Sequence, residues 1–109
     1  MYLIQIRPLS TNTAWQGRRF KSEAYKAYEK ELYYLLPKID FPKKDIVLEL
    51  EFGMSKMQDI DSPIKQTLDV MQQKYQFNDR EIVELRVKKV AVKKGKEYLK
   101  FSYDPPFQT

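Results

Sequence analysis

Apolar positions along this chain follow two periods. Residues 45–52, "DIVLELEF", alternate strictly, which puts Ile46, Leu48, Leu50 and Phe52 on one side and predicts a strand with one face on a core. Residues 22–36 repeat at helical spacing, with Ser22 placed to cap and Tyr25, Tyr28, Leu32 and Leu35 as the buried stripe. Pro37 stops that helix. A second helix is expected to begin near Ser62, with Pro63 at its first position and Ile64, Leu68, Met71 and Tyr75 on its apolar side, and to break at "QFND", residues 76–79.

The flanking segments complete the order. The opening "MYLIQIR" predicts a strand over residues 2–7, followed by a stretch with Pro8, Ser10, Asn12 and Gly17 as turn residues. Residues 81–103, "EIVELRVKKVAVKKGKEYLKFSY", predict a hairpin turning at Lys94-Gly95. Val83, Leu85 and Val87 share one parity and Val90 and Val92 the other, so a bulge near Lys88-Lys89 is expected to restore the register. "DPPFQT", residues 104–109, is expected to be a loose tail. The resulting order is β-α-β-α-β-β: an α+β fold, with helices packed on a small mixed sheet. At 109 residues the chain suits one domain, 1–109.

Composition narrows the chemistry. Cysteine and histidine are both absent. Disulfides, zinc sites of Cys/His type, thiol nucleophiles and imidazole acid-base catalysis are thereby excluded. Carboxylates, Lys, Tyr, Ser or a hard metal held by oxygen remain. No stretch approaches the roughly 18 unbroken apolar residues of a membrane span, and no signal peptide is expected at the N-terminus, so the expected location is the cytoplasm. The formal charge of +5 suits a polyanionic partner.

The carboxylates draw attention at "DIDSPIKQTLD", residues 59–69. Asp59 and Asp61 stand two apart at a helix start, and Asp61, Lys65 and Asp69 follow at i, i+4, i+8 as one polar stripe. A plain reading makes the acids helix caps that also meet the helix dipole, with Lys65 in an i,i+4 ion pair. The chemical reading adds Asp79, just before the next strand, and expects the loop-helix-loop to return it beside Asp59. Three converging carboxylates would repel one another unless a hard cation such as Mg²⁺ lay between them. Such a site activates water against a phosphodiester, with Lys65 neutralising a phosphate oxygen. Spacing alone leaves both readings open.

The basic residues allow two readings as well. Lys88, Lys89, Lys93, Lys94, Lys96 and Lys100 crowd the last two strands, where they can track a phosphate backbone or merely protect exposed strands from edge pairing. Arg18, Arg19 and Lys21 lie beside Trp15 and Phe20, a mixture that can stack on unpaired bases or, for Phe20 above all, serve the core.

Taken together, these motifs resemble the RusA family of Holliday junction resolvases, small endonucleases common in phages and prophages. "PLSTNTAWQGRRFKS" is similar to the family's Pro-x-Ser-x-Asn segment with the aromatic and basic stretch after it. "DIDSPIKQTLD" resembles the pattern D-x-D-N-x-x-K-x-x-x-D at identical spacing, with Ser62 where the family has Asn. "FNDREIVELRVKK" resembles the family's aromatic, acidic pair and following strand, with Asn78-Asp79 in place of the acidic pair. The resemblance implies that Asp59, Asp61 and Asp79 are catalytic metal ligands and Lys65 the catalytic lysine. It implies Mg²⁺ or Mn²⁺, a homodimer, and paired nicks across four-way DNA in a bacterial host cell. The rival expectation is a non-catalytic basic DNA-binding protein whose acids only cap a helix.

Overall fold

The computed structural model describes residues 1–9, 15–16 and 20–104, with the backbone alone for 15, 16 and 20. Its elements are β1 (Tyr2–Ile4), β2 (Trp15–Gln16), β3 (Phe20–Lys21), α1 (Glu23–Leu35), β4 (Ile46–Met54), α2 (Ile64–Tyr75), a 3₁₀ turn (Asp79–Glu81), β5 (Ile82–Ala91) and β6 (Tyr98–Asp104). The fold is α+β: a mixed four-stranded sheet in the order β1-β6-β4-β5 with two helices packed together, and a short antiparallel β2–β3 ladder.

β1 stops at Ile4 rather than at residue 7. Its ladder matches Tyr2 to Phe101 and Ile4 to Leu99, and β6 begins at Tyr98, so the partner strand runs out. Ile6 is buried all the same. α1 starts where expected. The Ser22 hydroxyl accepts the Tyr25 amide at 3.1 Å, and Leu36 is extended, as a residue before proline must be. The buried stripe is Tyr25, Tyr28 and Leu32 with Leu36; Leu35 is exposed. The chain leaves the helix at Leu36, and that departure turns Leu36 inward in place of Leu35.

α2 begins one residue later than expected, after a turn over residues 60–63. Its deepest side chains are Gln66, Thr67, Val70, Met71 and Tyr75; Ile64 and Leu68 pack at the margin. The buried face is rotated because α1 offers it hydroxyls as well as carbon. Tyr28 and Thr67 share a buried hydrogen bond of 2.8 Å, and the Tyr25 hydroxyl donates to Asp69 Oδ2 at 2.8 Å. Burial pushes the Tyr28 phenol up to about 12. At the far end Phe41 stacks on Tyr75 and Phe77, closing the core.

The expected hairpin between residues 82–91 and 98–104 does not form. β4 lies between the two strands, parallel to β5 and antiparallel to β6. The most regular apolar strand takes the centre, and the link from Val92 to Glu97 crosses its end, where the Val92 amide donates to the Met54 carbonyl at 2.9 Å. The register irregularity falls at Val83, not at Lys88-Lys89. Among the described residues β5 has no second neighbour whose register Val90 must match. The tail residues 105–109 lie outside the described residues.

Candidate active site

The connection from β4 to α2 is a series of tight turns. The Asp59 carbonyl accepts the Ser62 amide at 3.0 Å, and the Asp61 carbonyl accepts that of Ile64 at 3.3 Å. These bonds use backbone groups and leave both carboxylates pointing outward, with Asp59 and Asp61 exposed and Lys65 exposed one turn further on. All three sit at the carboxyl end of β4, the end where open α/β sheets place their ligands.

An open cleft of about 750 Å³ adjoins Asp59. Its walls include Arg7, Tyr28, Lys56, Gln58, Asp59 and Ser62. Gln58 carries a buried Oε1 with no partner. Glu97 stands on the same cleft and ties the lysine turn to it: its carboxylate accepts from Ser55 Oγ at 2.5 Å and from the Gly95 amide at 2.8 Å. The hydrogen bond from Ser55 holds that carboxyl below its ordinary value. Gly95 has φ 92, a backbone that glycine adopts without strain, and this lets the turn close. Lys93, Lys94 and Lys96 are therefore exposed on a turn that Glu97 ties to Ser55, just past the carboxyl end of β4.

The other basic residues divide. Lys89 donates to the Gln58 carbonyl at 2.9 Å, which ties β5 to the loop before Asp59. Lys88 is exposed on the opposite face of β5. Lys100 lies 3.8 Å from Glu51, and Lys21 pairs with Glu29 at 2.8 Å. Arg18 and Arg19 lie outside the described residues.

Asp79 does not come back to Asp59. β5 runs parallel to β4, with Ile82 opposite Ile46 and Ala91 opposite Met54, so residues just before β5 lie at the amino end of β4. The Asp79 amide donates to Gln72 Oε1 at 3.0 Å, near the carboxyl end of α2, while Asp59 and Asp61 stand at the amino end. A helix of 12 residues, roughly 18 Å long, separates the two places. Among the described residues no three acidic side chains gather where one cation could be held. Asp69 is committed elsewhere, to the Tyr25 hydroxyl.

Arg7, Lys56, Gln58 and Glu97 were not singled out from the sequence. Lys56 and Gln58 are chain neighbours of Asp59, whereas Arg7 and Glu97 reach the same cleft because β1 and the lysine turn end at the same edge of the sheet as the β4–α2 loop. Among the described residues no helix is long and apolar enough to cross a membrane. No family model matches the sequence, and no curated protein aligns with it significantly.

Proposed function

We propose that this protein is a metal-dependent endonuclease of RusA type that nicks four-way DNA junctions as a homodimer in the cytoplasm of a bacterial host. One observation carries the reading. The D-x-D-x-x-x-K spacing falls on the turn and first helical residues where Asp59, Asp61 and Lys65 are all exposed, beside a cleft and a turn of three lysines.

The donor set fits a hard cation. Asp59 and Asp61 offer oxygen only, and Mg²⁺ is commonly held by one or two carboxylates with waters and substrate phosphate oxygens completing its shell. When bound, Mg²⁺ or Mn²⁺ supplies a water of lowered pKa and neutralises phosphate charge. Lys65 places an ammonium at the same helix start, where it stabilises negative charge developing on the phosphate. Lys93, Lys94 and Lys96 hold the DNA backbone alongside, and Arg7 and Lys56 line the cleft that receives it.

Asp79 enters this reading through the dimer. Within one chain it is a helix length away from Asp59, so the third carboxylate comes from a second copy related by a two-fold axis. A two-fold dimer also supplies the two equivalent sites that paired nicks require.

The test is single-turnover cleavage of a synthetic four-way junction with and without Mg²⁺. Asp59→Asn and Asp61→Asn should bind the junction and not cut it. Lys65→Ala should lose on the order of a hundredfold in rate. Mixing Asp59→Asn chains with Asp79→Asn chains should restore one working site per heterodimer and produce single nicks; a site built within one chain gives none. A protein that retards the junction with and without metal and never cuts it is a DNA-binding module, and the nuclease reading fails.

A further inference from the structure

The turn that carries Asp59 and Asp61 is gripped at both ends by side chains that lie outside it. Before Asp59, the Gln58 carbonyl accepts from Lys89 Nζ at 2.9 Å. After Asp61, the Ser62 carbonyl accepts from Gln66 Nε2 at 3.2 Å. The same Nε2 donates to the Leu9 carbonyl at 3.3 Å, so the turn is also anchored to the segment that follows β1.

Neither side chain is what packing alone would select. The register sets Lys89 beside Phe52, on the helix-covered face where Leu85 and Val87 stand before it. Alternation would continue that stripe with a third apolar residue. Lysine brings a long stem and an ammonium to the end of the face, where β4 runs out and the loop to α2 begins. Gln66 has no exposed surface, and its Oε1 is buried with no partner among the described residues. A buried orphan acceptor costs stability that a leucine of similar volume would not. What the carboxamide adds is its two N–H donors, and both carbonyls they meet lie outside the helices and strands. Loop carbonyls of this kind have no ladder to satisfy them and depend on side chains or water.

We infer that Lys89 and Gln66 are positioning residues: they clamp the turn from residue 58 to 62 and hold the Asp59 and Asp61 carboxylates together for a hard cation. This rests on the reading of those two acids as metal ligands. Exposed carboxylates so close in the chain repel each other, and a turn free to open would let them part. A backbone fixed on both sides keeps them in place before the cation arrives. Lys89 thereby leaves the set of lysines that track phosphate, since its ammonium is engaged by the loop.

Lys89→Met and Gln66→Leu remove the donors and keep the volume; Lys89→Arg keeps a donor. Amide exchange is measured on the protein without metal. The Ser62 amide closes the turn on the Asp59 carbonyl at 3.0 Å. It should exchange about tenfold faster in Lys89→Met and in Gln66→Leu, while the amides of β4 keep their wild-type protection. Mn²⁺ titrated into each protein and followed by electron paramagnetic resonance should bind about tenfold more weakly in both. Lys89→Arg should recover most of both losses. In junction cleavage the Mg²⁺ concentration for half-maximal rate should rise in step, with the rate at saturating Mg²⁺ near wild type. Gln66→Leu should melt no lower than wild type, which separates clamping from folding. Wild-type exchange at Ser62 in both variants overturns the clamp. Faster exchange with unchanged Mn²⁺ binding overturns its purpose. A salt slope of junction binding lowered by about one in Lys89→Met, with Mn²⁺ binding unmoved, returns that lysine to the DNA backbone and overturns its role here. A wild type that takes up no Mn²⁺ overturns both the clamp and the metal site. Exchange and Mn²⁺ binding involve no cleavage, so a protein that binds Mn²⁺ and never cuts DNA loses the nuclease reading and keeps the clamp.

Discussion

Leu48 and Leu85 are the same residue, side by side in register on the same face of one sheet, and they live differently. Leu48 has no exposed surface, and Leu85 keeps more than a third of its own. Both strands show alternating apolar residues, and in β5 the alternation names the face correctly for Leu85 and Val87, while Val90 falls on the opposite face. Burial depends on what stands to the side. β4 has β5 on one flank and β6 on the other with helices above, whereas among the described residues β5 has β4 alone. Alternation is a property of a strand; burial is a property of its rank in the sheet.

The pair can be broken directly, and this carries the largest expected effect. Leu48→Ala leaves a cavity in a closed core and should cost about 3–5 kcal/mol. Leu85→Ala should cost under about 1 kcal/mol of folding stability in the separated chain, because much of that side chain never left water. Urea unfolding of both variants at low protein concentration measures the contrast. Equal losses would mean that β5 is as deeply held as β4.

Gly53 sharpens the comparison from the other face of β4. A β-carbon there would sit 2.3 Å from the Tyr98 ring, inside any tolerable contact. That ring lies flat on the strand because its hydroxyl donates to Glu51 Oε2 at 2.6 Å, with the Lys100 ammonium 5.3 Å from its centroid. The Glu51 hydrogen bond pushes the Tyr98 phenol up to about 12. Gly53→Ala should cost roughly 1–3 kcal/mol by displacing the ring. It should also return the Tyr98 titration toward the ordinary tyrosine value, read by absorbance of the phenolate. Loss of stability with the Tyr98 titration unmoved would place the strain elsewhere.

Asp69 tests the division between scaffold and site. It belongs to the same polar stripe as Asp61 and Lys65, yet the Tyr25 hydroxyl holds it. Asp69→Asn should cost about 1 kcal/mol, as should Tyr25→Phe, and the double variant should lose less than the sum. Junction cleavage by Asp69→Asn should stay near wild type, whereas Asp59→Asn should stop it. A dead Asp69→Asn enzyme of full stability would move Asp69 into the site.

The helices, the central strand and the mixed sheet were legible because each has a local signature: Ser22 and Pro37 bracket α1, and strict alternation marks β4. The order of the strands was not, since nothing local in residues 81–103 states that β4 will come between β5 and β6. The same limit governs the site. Asp59, Asp61 and Lys65 are near in sequence and near in space. Asp79 looked close because a chain can turn back, but a parallel crossover returns it to the wrong end. Glu97 and Arg7 join the cleft through strand order alone.

The smallest effect sits where α1, α2 and β3 meet. Glu29 keeps 23% of its side chain exposed and accepts from Lys21 Nζ at 2.8 Å and Gln73 Nε2 at 3.1 Å. Burial pushes its carboxyl up, and the hydrogen bonds from Lys21 and Gln73 outweigh that and hold it below the ordinary glutamate value. A carboxyl depressed on folding contributes stability above its unfolded pKa and loses it as the pH falls through the folded one. The contribution should therefore be complete at pH 7 and fade below about pH 4. Lys21 is a third exposed, so solvent screening keeps the pair to a few tenths of a kcal/mol up to about 1. Glu29→Gln keeps the shape and removes the charge. Urea unfolding of wild type and Glu29→Gln at pH 7, 5 and 3 should show a small gap that closes with acid. A gap that is constant with pH would assign the loss to packing, and a gap that widens in acid would contradict the depressed carboxyl itself.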